Sequence, residues 1–233
     1  MKALKVCAYQ SFACYRKPLS FGFIDTYPLP PFSTVKGWFH HIIDADQYIP
    51  ISMSIHGCFS SVVYDMQTMI KFDRKRGEKE QIILEGFNKA FNKSPTFVAN
   101  IFDINLTIYM RTEEKSLEKF RKKLMKKEYP HLGRYEDLMR IDFINYVELF
   151  PKSFGRRNPY TIFKGTYIKE ETAKKHRLTG VNYRLNFKYE IKNGIRHFEK
   201  VDIVYIDNGT LKGEWLFDES ENLCIEFIGD YGG

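Results

Sequence analysis

The chain of 233 residues has only four cysteines, and none of them forms a CxxC pair. Cys7, Cys14, Cys58 and Cys224 are widely separated, while 43% of the residues are hydrophobic. A chain of this length and composition can build a core without disulfide cross-links. We therefore expect reduced thiols, a cytoplasmic protein and no zinc site.

The sequence also lacks a long apolar run. No segment reaches the length that spans a bilayer, and the N-terminus, which carries Lys2 and Lys5, has no signal-peptide core. We expect no membrane partner.

Catalytic motifs are absent as well. The sequence contains no HExxH, Walker loop, GxGxxG or GxSxG, and its carboxylates do not cluster with histidine at metal-binding spacing. His40 and His41 are adjacent, so they point to different sides of a predicted helix and cannot face each other. His40, His131 and His176 remain as acid–base candidates without an evident partner. We expect no catalytic residue, no metal and no cofactor.

Positive charge is in excess. There are 36 lysines and arginines against 29 carboxylates, which gives a net charge of +7. This balance favours a polyanionic partner, with nucleic acid ahead of a membrane surface. The alternative is ordinary charge for solubility.

A proline-rich segment followed by a helix organises the first half. Prolines at positions 28, 30 and 31 force an extended backbone, and Ser33 is predicted to be the N-cap of the helix. The apolar residues of this helix recur on one face and are Val35, Trp38, Phe39, Ile42 and Ile43. Ser33, Thr34 and Lys36 at its start make a natural phosphate site, although a well-capped core helix is the simpler interpretation.

The order of predicted elements through residue 150 is β-α-β-β-α-β. Strands are predicted at 3–13, 51–56, 102–110 and 141–147, with a second helix capped by Thr112. This is the ferredoxin-like (RRM-like) order of an α+β protein, with an irregular insertion at about 58–100. The insertion holds the cluster Arg74, Lys75 and Arg76, which is either a functional loop or a solvated group of charges.

The remainder, 151–233, is predicted to be an antiparallel β region. Residues 151–179 are rich in loops and basic residues. After residue 183 a four-stranded meander is expected, with hairpin turns at Asn193-Gly194 and Asn208-Gly209.

Two segments together resemble a known family. The first is Tyr-Pro-Leu-Pro-Pro-Phe-Ser-Thr-Val-Lys-Gly at 27–37, preceded by Phe-Ala-Cys-Tyr-Arg-Lys-Pro at 12–18. The second is His-Leu-Gly-Arg-Tyr-Glu-Asp-Leu at 131–138. The chain resembles the Cas-five family of CRISPR-associated RAMP proteins, subunits of type I Cascade complexes, and looks most like the I-B branch.

The resemblance implies a role in antiviral defence. Such subunits bind the 5′ handle of the CRISPR RNA and contact the Cascade backbone subunit and the large subunit, using a ferredoxin-like core, a glycine loop and a thumb. Gly133 and Arg134 match the glycine loop, and 33–36 match the start of the first helix. The remaining RNA-binding candidates lie in the matched segments or in the insertion where the thumb would be: Arg16, Lys17, Tyr27, Arg74, Lys75, Arg76 and His131.

Two alternatives stay open at this point. Arg134 can grip a phosphate with two hydrogen bonds, or it can form an ion pair with Glu136 or Asp137. In the I-C branch, the related subunit is a metal-independent endoribonuclease with a tyrosine, lysine and histidine set. A generic RNA-binding protein is the third possibility, which the paired motifs disfavour.

Overall fold

The computed structural model describes residues 1–18, 22–73, 82–83 and 90–232. Within them, three helices accompany mainly antiparallel strands, which confirms the α+β class. None of these helices combines the length and hydrophobicity that crossing a bilayer requires.

The elements follow in chain order. In the first half they are β1 (Lys2–Ala13), β2 (Phe23–Ile24), α1 (Phe32–Ile42), β3 (Ser52–Cys58), β4 (Ser61–Asp73), β5 (Ile82–Ile83), β6 (Ala90–Arg111), α2 (Glu114–Met125) and β7 (Arg140–Glu148). In the second half they are β8 (Phe150–Phe154), β9 (Tyr160–Thr161), β10 (Gly165–Lys169), α3 (Glu170–His176), β11 (Val181–Lys192), β12 (Ile195–Ile206), β13 (Thr210–Leu211), β14 (Gly213–Asp218), β15 (Leu223–Ile225) and β16 (Ile228–Gly229).

One large sheet joins both halves of the chain. Its main strands run in the order β11-β12-β10-β3-β6-β1-β7, and every neighbouring pair in this order is antiparallel. β10, β11 and β12 extend the sheet beyond β3, so strands from either side of residue 150 share it.

The two long helices cover one face of this sheet. Trp38 of α1 packs edge-on against Phe120 of α2 with ring centroids 5.0 Å apart, and Phe39 lies 5.2 Å from the same ring. Leu4 and Val6 of β1 are fully buried in this cluster. The apolar face predicted for α1 is buried throughout, as expected.

The opposite face carries a buried ion pair. Because side chains alternate across a strand, Lys5 points away from the helices. Its ammonium lies 3.0 Å from Oδ2 of Asp218 at the end of β14, and Tyr109 donates a 2.6 Å hydrogen bond to the same oxygen. Burial opposes the charge of Asp218, yet hydrogen bonds from Tyr109, Ser220 and Lys5 hold its pKa below the usual range. The pair joins the second half to the central strand.

The insertion predicted as irregular is largely strand. β4 and β6 pair antiparallel from Ser61↔Phe102 to Asp73↔Ala90, and β6 is 22 residues long. Val62 and Val63, which point to opposite sides, are both exposed, as are Tyr64 and Met66. Because β4 is exposed on both faces at 61–66, it carries no alternation of polar and apolar residues, which explains the wrong prediction.

Residues 151–179, predicted to be rich in loops, contain more regular structure than expected, because most of β8 and all of β9, β10 and α3 lie there. The hairpin at Asn193-Gly194 is confirmed, with φ of 53° and 75° in a two-residue turn. The turn at Asn208-Gly209 does not make a hairpin, since β13 pairs with β9. The predicted single meander is therefore wrong.

The cap predicted for α2 is wrong too. Glu113 occupies the N-cap position, and the Thr112 hydroxyl donates to the carbonyl of Pro50 at 2.6 Å. Thr112 therefore binds the loop before β3 instead of capping α2.

Lys5→Met should lower the free energy of unfolding by about 3–5 kcal/mol, because it leaves the Asp218 carboxylate buried without its cation. Urea denaturation measures the change. Lys2→Met is the matched control on the same strand: its ammonium pairs with Glu114 at the surface, so little change is expected. Equal losses in the two variants would contradict a special role for the buried pair.

Candidate nucleic-acid interface

An open groove lies at the start of α1. Five of the candidates from the sequence line it together: Arg16, Lys17, Tyr27, Ser33 and Thr34. Its remaining wall includes Leu185 and Asn186 of β11. No local sequence signal indicated these two residues, because β11 reaches α1 only through the tertiary fold.

Backbone hydrogen bonds fix the groove. The amide of Tyr27 donates to the carbonyl of Tyr15 at 2.8 Å, and that of Lys17 donates to Asp25 at 2.9 Å. The amide of Tyr15 donates to Oγ1 of Thr26 at 2.9 Å. The loop after β1 and the segment before α1 are therefore held side by side.

The start of α1 faces this groove, but Ser33 is not its cap. Pro31 occupies the N-cap position without a side-chain hydrogen bond, and the amides of Thr34 and Val35 both donate to the carbonyl of Pro31. In the part of the chain that the structure describes, the hydroxyls of Ser33 and Thr34 have no hydrogen-bond partner. The first turn has no acidic residue, so nothing there competes with an anion.

The two cations of the groove differ in their surroundings. Lys17 forms an ion pair with Asp25 at 2.7 Å and lies 5.9 Å from the ring centroid of Tyr27. Arg16 is exposed, and no carboxylate within residues 1–18, 22–73, 82–83 and 90–232 pairs with it. Arg16 is therefore the cation of the groove that is available to a phosphate.

Lys36 lies outside this groove, one turn further along α1. Only 6% of the residue is exposed. Its ammonium donates to the hydroxyl of Tyr48 at 2.8 Å and lies 3.8 Å from the ring centroid of Phe187. Burial lowers the pKa of Lys36 to about 8, with Asp230 opposing the shift and Lys188 adding to it.

The segment 131–138, which we call the glycine turn, is held together by the carboxylate of Asp137. Nη2 of Arg134 lies 2.7 Å from Oδ1 of Asp137, and Nη1 lies 3.3 Å from Oε1 of Glu136. Asp137 is buried and also accepts the amides of Cys14 and Arg134. Of the two interpretations of Arg134, the ion pair is the one that the structure displays, while a phosphate contact stays a prediction.

Gly133 is required by the same arrangement. Its φ is 108°, and a Cβ atom there would lie 2.6 Å from Oδ2 of Asp137. The turn is fastened to β1 by Gln10, whose side-chain amide donates to the carbonyls of Leu132 and Asp137 at 2.9 and 2.8 Å. The glycine therefore serves internal packing, whatever else approaches it.

The turn and the groove adjoin each other at Cys14. Burial raises the pKa of its thiol, and the charges of Arg134 and Arg16 both oppose that rise. Both guanidinium groups therefore act on one buried thiol. His131 stacks on the exposed ring of Tyr135, with centroids 4.9 Å apart, at the outer end of the turn.

His40 and His176 offer no free general base at this interface. His40 accepts the amide of Ile49 at Nε2 and lies 2.8 Å from the carbonyl of Lys36 through Nδ1. His176 packs against Trp215, away from the groove lining, and burial lowers its pKa. Among the described residues, no three metal-binding side chains come together.

The predicted cluster Arg74, Lys75 and Arg76 lies outside the described residues. The cavity-lining residues that the sequence did not indicate are mainly on β11, β12 and the loop after α1. They are Tyr48, Asn186, Phe187, Tyr189, Arg196 and Phe198.

No protein-family model matches the sequence, and no curated protein matches it. Among solved structures, a chain of a "CRISPR RNA-guided surveillance complex" is similar with a TM-score of 0.58 and 14% identity, over 90% of this chain and 91% of that chain. A CRISPR protein from Archaeoglobus fulgidus is similar with a TM-score of 0.48 and 10% identity, over 99% of this chain and 99% of that chain. A further Cas protein is similar with a TM-score of 0.43 and 14% identity, over 97% of this chain and 99% of that chain. The first similarity shows a shared fold.

Gly133→Ala should lower the free energy of unfolding by about 1–3 kcal/mol, because alanine is strained at this φ and displaces Asp137 from its donors. Gly37→Ala is the matched control: it lies inside α1 with open space around it, so a gain of about 0.5–1 kcal/mol is expected. Urea denaturation of both variants checks the difference. A neutral Gly133→Ala would contradict the structural role of the turn.

Proposed function

We propose that this protein binds the 5′ handle of a CRISPR RNA as a Cas-five subunit of the I-B branch of Cascade. The observation that carries the proposal is the groove at the start of α1, which gathers Arg16, Lys17, Tyr27, Ser33 and Thr34. They lie in the two adjacent segments that carry the resemblance, and the glycine turn adjoins them.

The groove offers what single-stranded RNA needs. Phosphates are bound by cations, hydroxyls and helix N-termini, and splayed bases stack on aromatic rings. Arg16 supplies a cation that no carboxylate of the described residues pairs with, and Ser33 and Thr34 supply hydroxyls at a helix start. The largely buried ring of Tyr27 lies beside Lys17. Binding of this kind requires no metal or other cofactor.

The same proposal covers the architecture. We infer a ferredoxin-like RAMP unit at 1–150, which the antiparallel order β3-β6-β1-β7 with α1 and α2 on one face supports. The β4–β6 hairpin corresponds to the insertion at 58–100 and is the candidate thumb. The β region at 151–233 follows this unit.

The partners follow from this role. We propose that the protein assembles in the cytoplasm with the Cascade backbone subunit and the large subunit, and contributes to antiviral defence. A protein with a similar fold belongs to a structure named as a CRISPR RNA-guided surveillance complex, which agrees with such an assembly.

An endoribonuclease is the second candidate, and one observation favours it. Lys36, His40 and Tyr48 meet beside α1, a tyrosine, lysine and histidine set that the sequence did not reveal. However, both ring nitrogens of His40 are engaged, and Lys36 is buried. Burial and a hydrogen bond to Asp230 raise the pKa of Tyr48, so its hydroxyl stays protonated at neutral pH and is not available as a base.

Arg16→Glu should weaken RNA binding by roughly 1–3 kcal/mol, about 5- to 150-fold, because it removes a charged phosphate contact. The protein is first co-purified with the products of its neighbouring genes, and the bound RNA is sequenced and synthesised. Affinity is then measured at several salt concentrations. The slope of the logarithm of the binding constant against the logarithm of the salt concentration should fall in magnitude by about one unit.

Arg156→Glu is the control for Arg16→Glu. It makes the same charge change at an exposed arginine between β8 and β9 that does not line the groove. Equal weakening by both variants would indicate a general charge effect and contradict a specific groove. Absence of any bound RNA would contradict the proposed function itself.

The purified protein should leave repeat RNA intact in the presence of a chelator, since both ring nitrogens of His40 are engaged and His176 lies away from the groove lining. Gel electrophoresis of the labelled RNA measures this. Cleavage that persists in the chelator and disappears in Tyr48→Phe would establish the second candidate in place of the first.

A further inference from the structure

A second cavity lies beside the groove, between α1, the loop after it and the β11–β12 hairpin. We name it the α1–hairpin cleft. Its volume is about 790 Å³, against about 270 Å³ for the groove. Ser33 lines both cavities, so the cleft continues the groove along α1.

One face of the hairpin supplies aromatic side chains to this cleft. Tyr189 and Phe198 are cross-strand partners whose ring centroids lie 5.6 Å apart. They are 47% and 41% exposed, which is high for large rings that line a cavity. Phe187, two residues before Tyr189, is buried against Lys36 at the base of the cleft.

Cations accompany these rings. Lys36 is the buried ammonium at the base, and Arg196 lies over the ring of Tyr189, 4.7 Å from its centroid. Lys188 pairs with Glu199 at 3.1 Å, so its charge is largely balanced. Asp46 is the one carboxylate residue among the residues described as lining the cleft. The lining therefore combines aromatic surface with a positive balance.

We propose that the α1–hairpin cleft binds one extruded nucleobase of single-stranded RNA, stacked on the Tyr189–Phe198 pair with its phosphate beside Arg196. The proposal rests on the proposed function, because the groove must first hold the strand. It deepens that function by assigning a base site to the second half of the chain, where the resemblance places no RNA-binding residue.

A nucleotide fits this lining better than a protein side chain does. Exposed aromatic rings offer a surface on which any of the four bases can stack. Guanidinium and ammonium groups bind the phosphate and the polar edge of the base. An apolar side chain from a partner would leave the buried ammonium of Lys36 facing hydrocarbon. Since Ser33 lines both cavities, a strand that leaves the groove along α1 reaches the cleft directly.

An abasic scan of the recovered RNA tests the proposal. Each nucleotide is replaced in turn by an abasic residue, and affinity is measured for the unaltered protein and for Tyr189→Ala and Phe198→Ala. Loss of one stacked base should weaken binding roughly 5- to 100-fold at a single position. At that position the abasic change should have little further effect in either variant, since both remove the same contact.

Ile195→Ala is the matched control. Ile195 is exposed at the tip of the same hairpin but does not line the cleft. The loss of affinity at each abasic position should therefore be the same for Ile195→Ala as for the unaltered protein. Independently of any variant, 4-thiouridine at the sensitive position should cross-link under ultraviolet light to Tyr48, Phe187, Tyr189 or Phe198. Mass spectrometry of the cross-linked peptide identifies the residue.

The outcomes distinguish failure of the proposed base site from failure of the proposed RNA-binding function. RNA binding that depends on Arg16, with an abasic profile unchanged by Tyr189→Ala and Phe198→Ala, overturns the base site and leaves the proposed function standing. Loss of a co-purified protein subunit in these variants, with RNA affinity unchanged, assigns the cleft to a protein partner and also overturns it. Failure to bind any RNA overturns both proposals.

Discussion

One buried hydrogen bond joins the proline-rich segment to the second half of the chain. The hydroxyl of Tyr167 on β10 donates to the carbonyl of Leu29 at 2.7 Å, and both residues are buried. Prolines remove backbone donors from this segment but leave its carbonyls, and an unpaired buried carbonyl costs about 1–3 kcal/mol. Gly57 on β3 allows the fit, because a Cβ atom there would lie 2.7 Å from Cδ2 of Leu29. The start of α1 is thus fixed from two sides.

Both proposed RNA sites depend on this junction. β10 pairs with β12, β12 pairs with β11, and β11 thereby lies along α1. Tyr183 of β11 packs edge-on against Tyr27, with centroids 5.3 Å apart, beside the groove. Further along the same strand, Phe187 contacts Lys36 at the base of the cleft. A chain that placed β11 elsewhere would have neither cavity, although every candidate in the first half would be unchanged.

The positive charges fall into two groups that composition does not distinguish. Lys5 and Arg134 neutralise buried carboxylates, and their removal is expected to act on stability. Arg16 has no such carboxylate in the described structure and is therefore the better candidate for a phosphate. The difference depends on whether a carboxylate lies within ion-pair distance, and that depends on the fold. The net charge of +7 thus indicates a polyanionic partner without showing which residues would bind it.

The sequence by itself determined the elements that have one face toward a core. β1 and the second half of β6 alternate clearly, the apolar stripe of α1 predicts its buried face, and Asn193-Gly194 predicts its turn, because each signal lies within a few neighbouring residues. The β4–β6 hairpin was missed because β4 is exposed on both faces at 61–66. Only the tertiary structure decided that Asp137 binds Arg134, that Lys36 is buried, and that β11 forms a wall of the groove. These contacts join residues from separate elements or depend on a turn at φ 108°, so no local period encodes them.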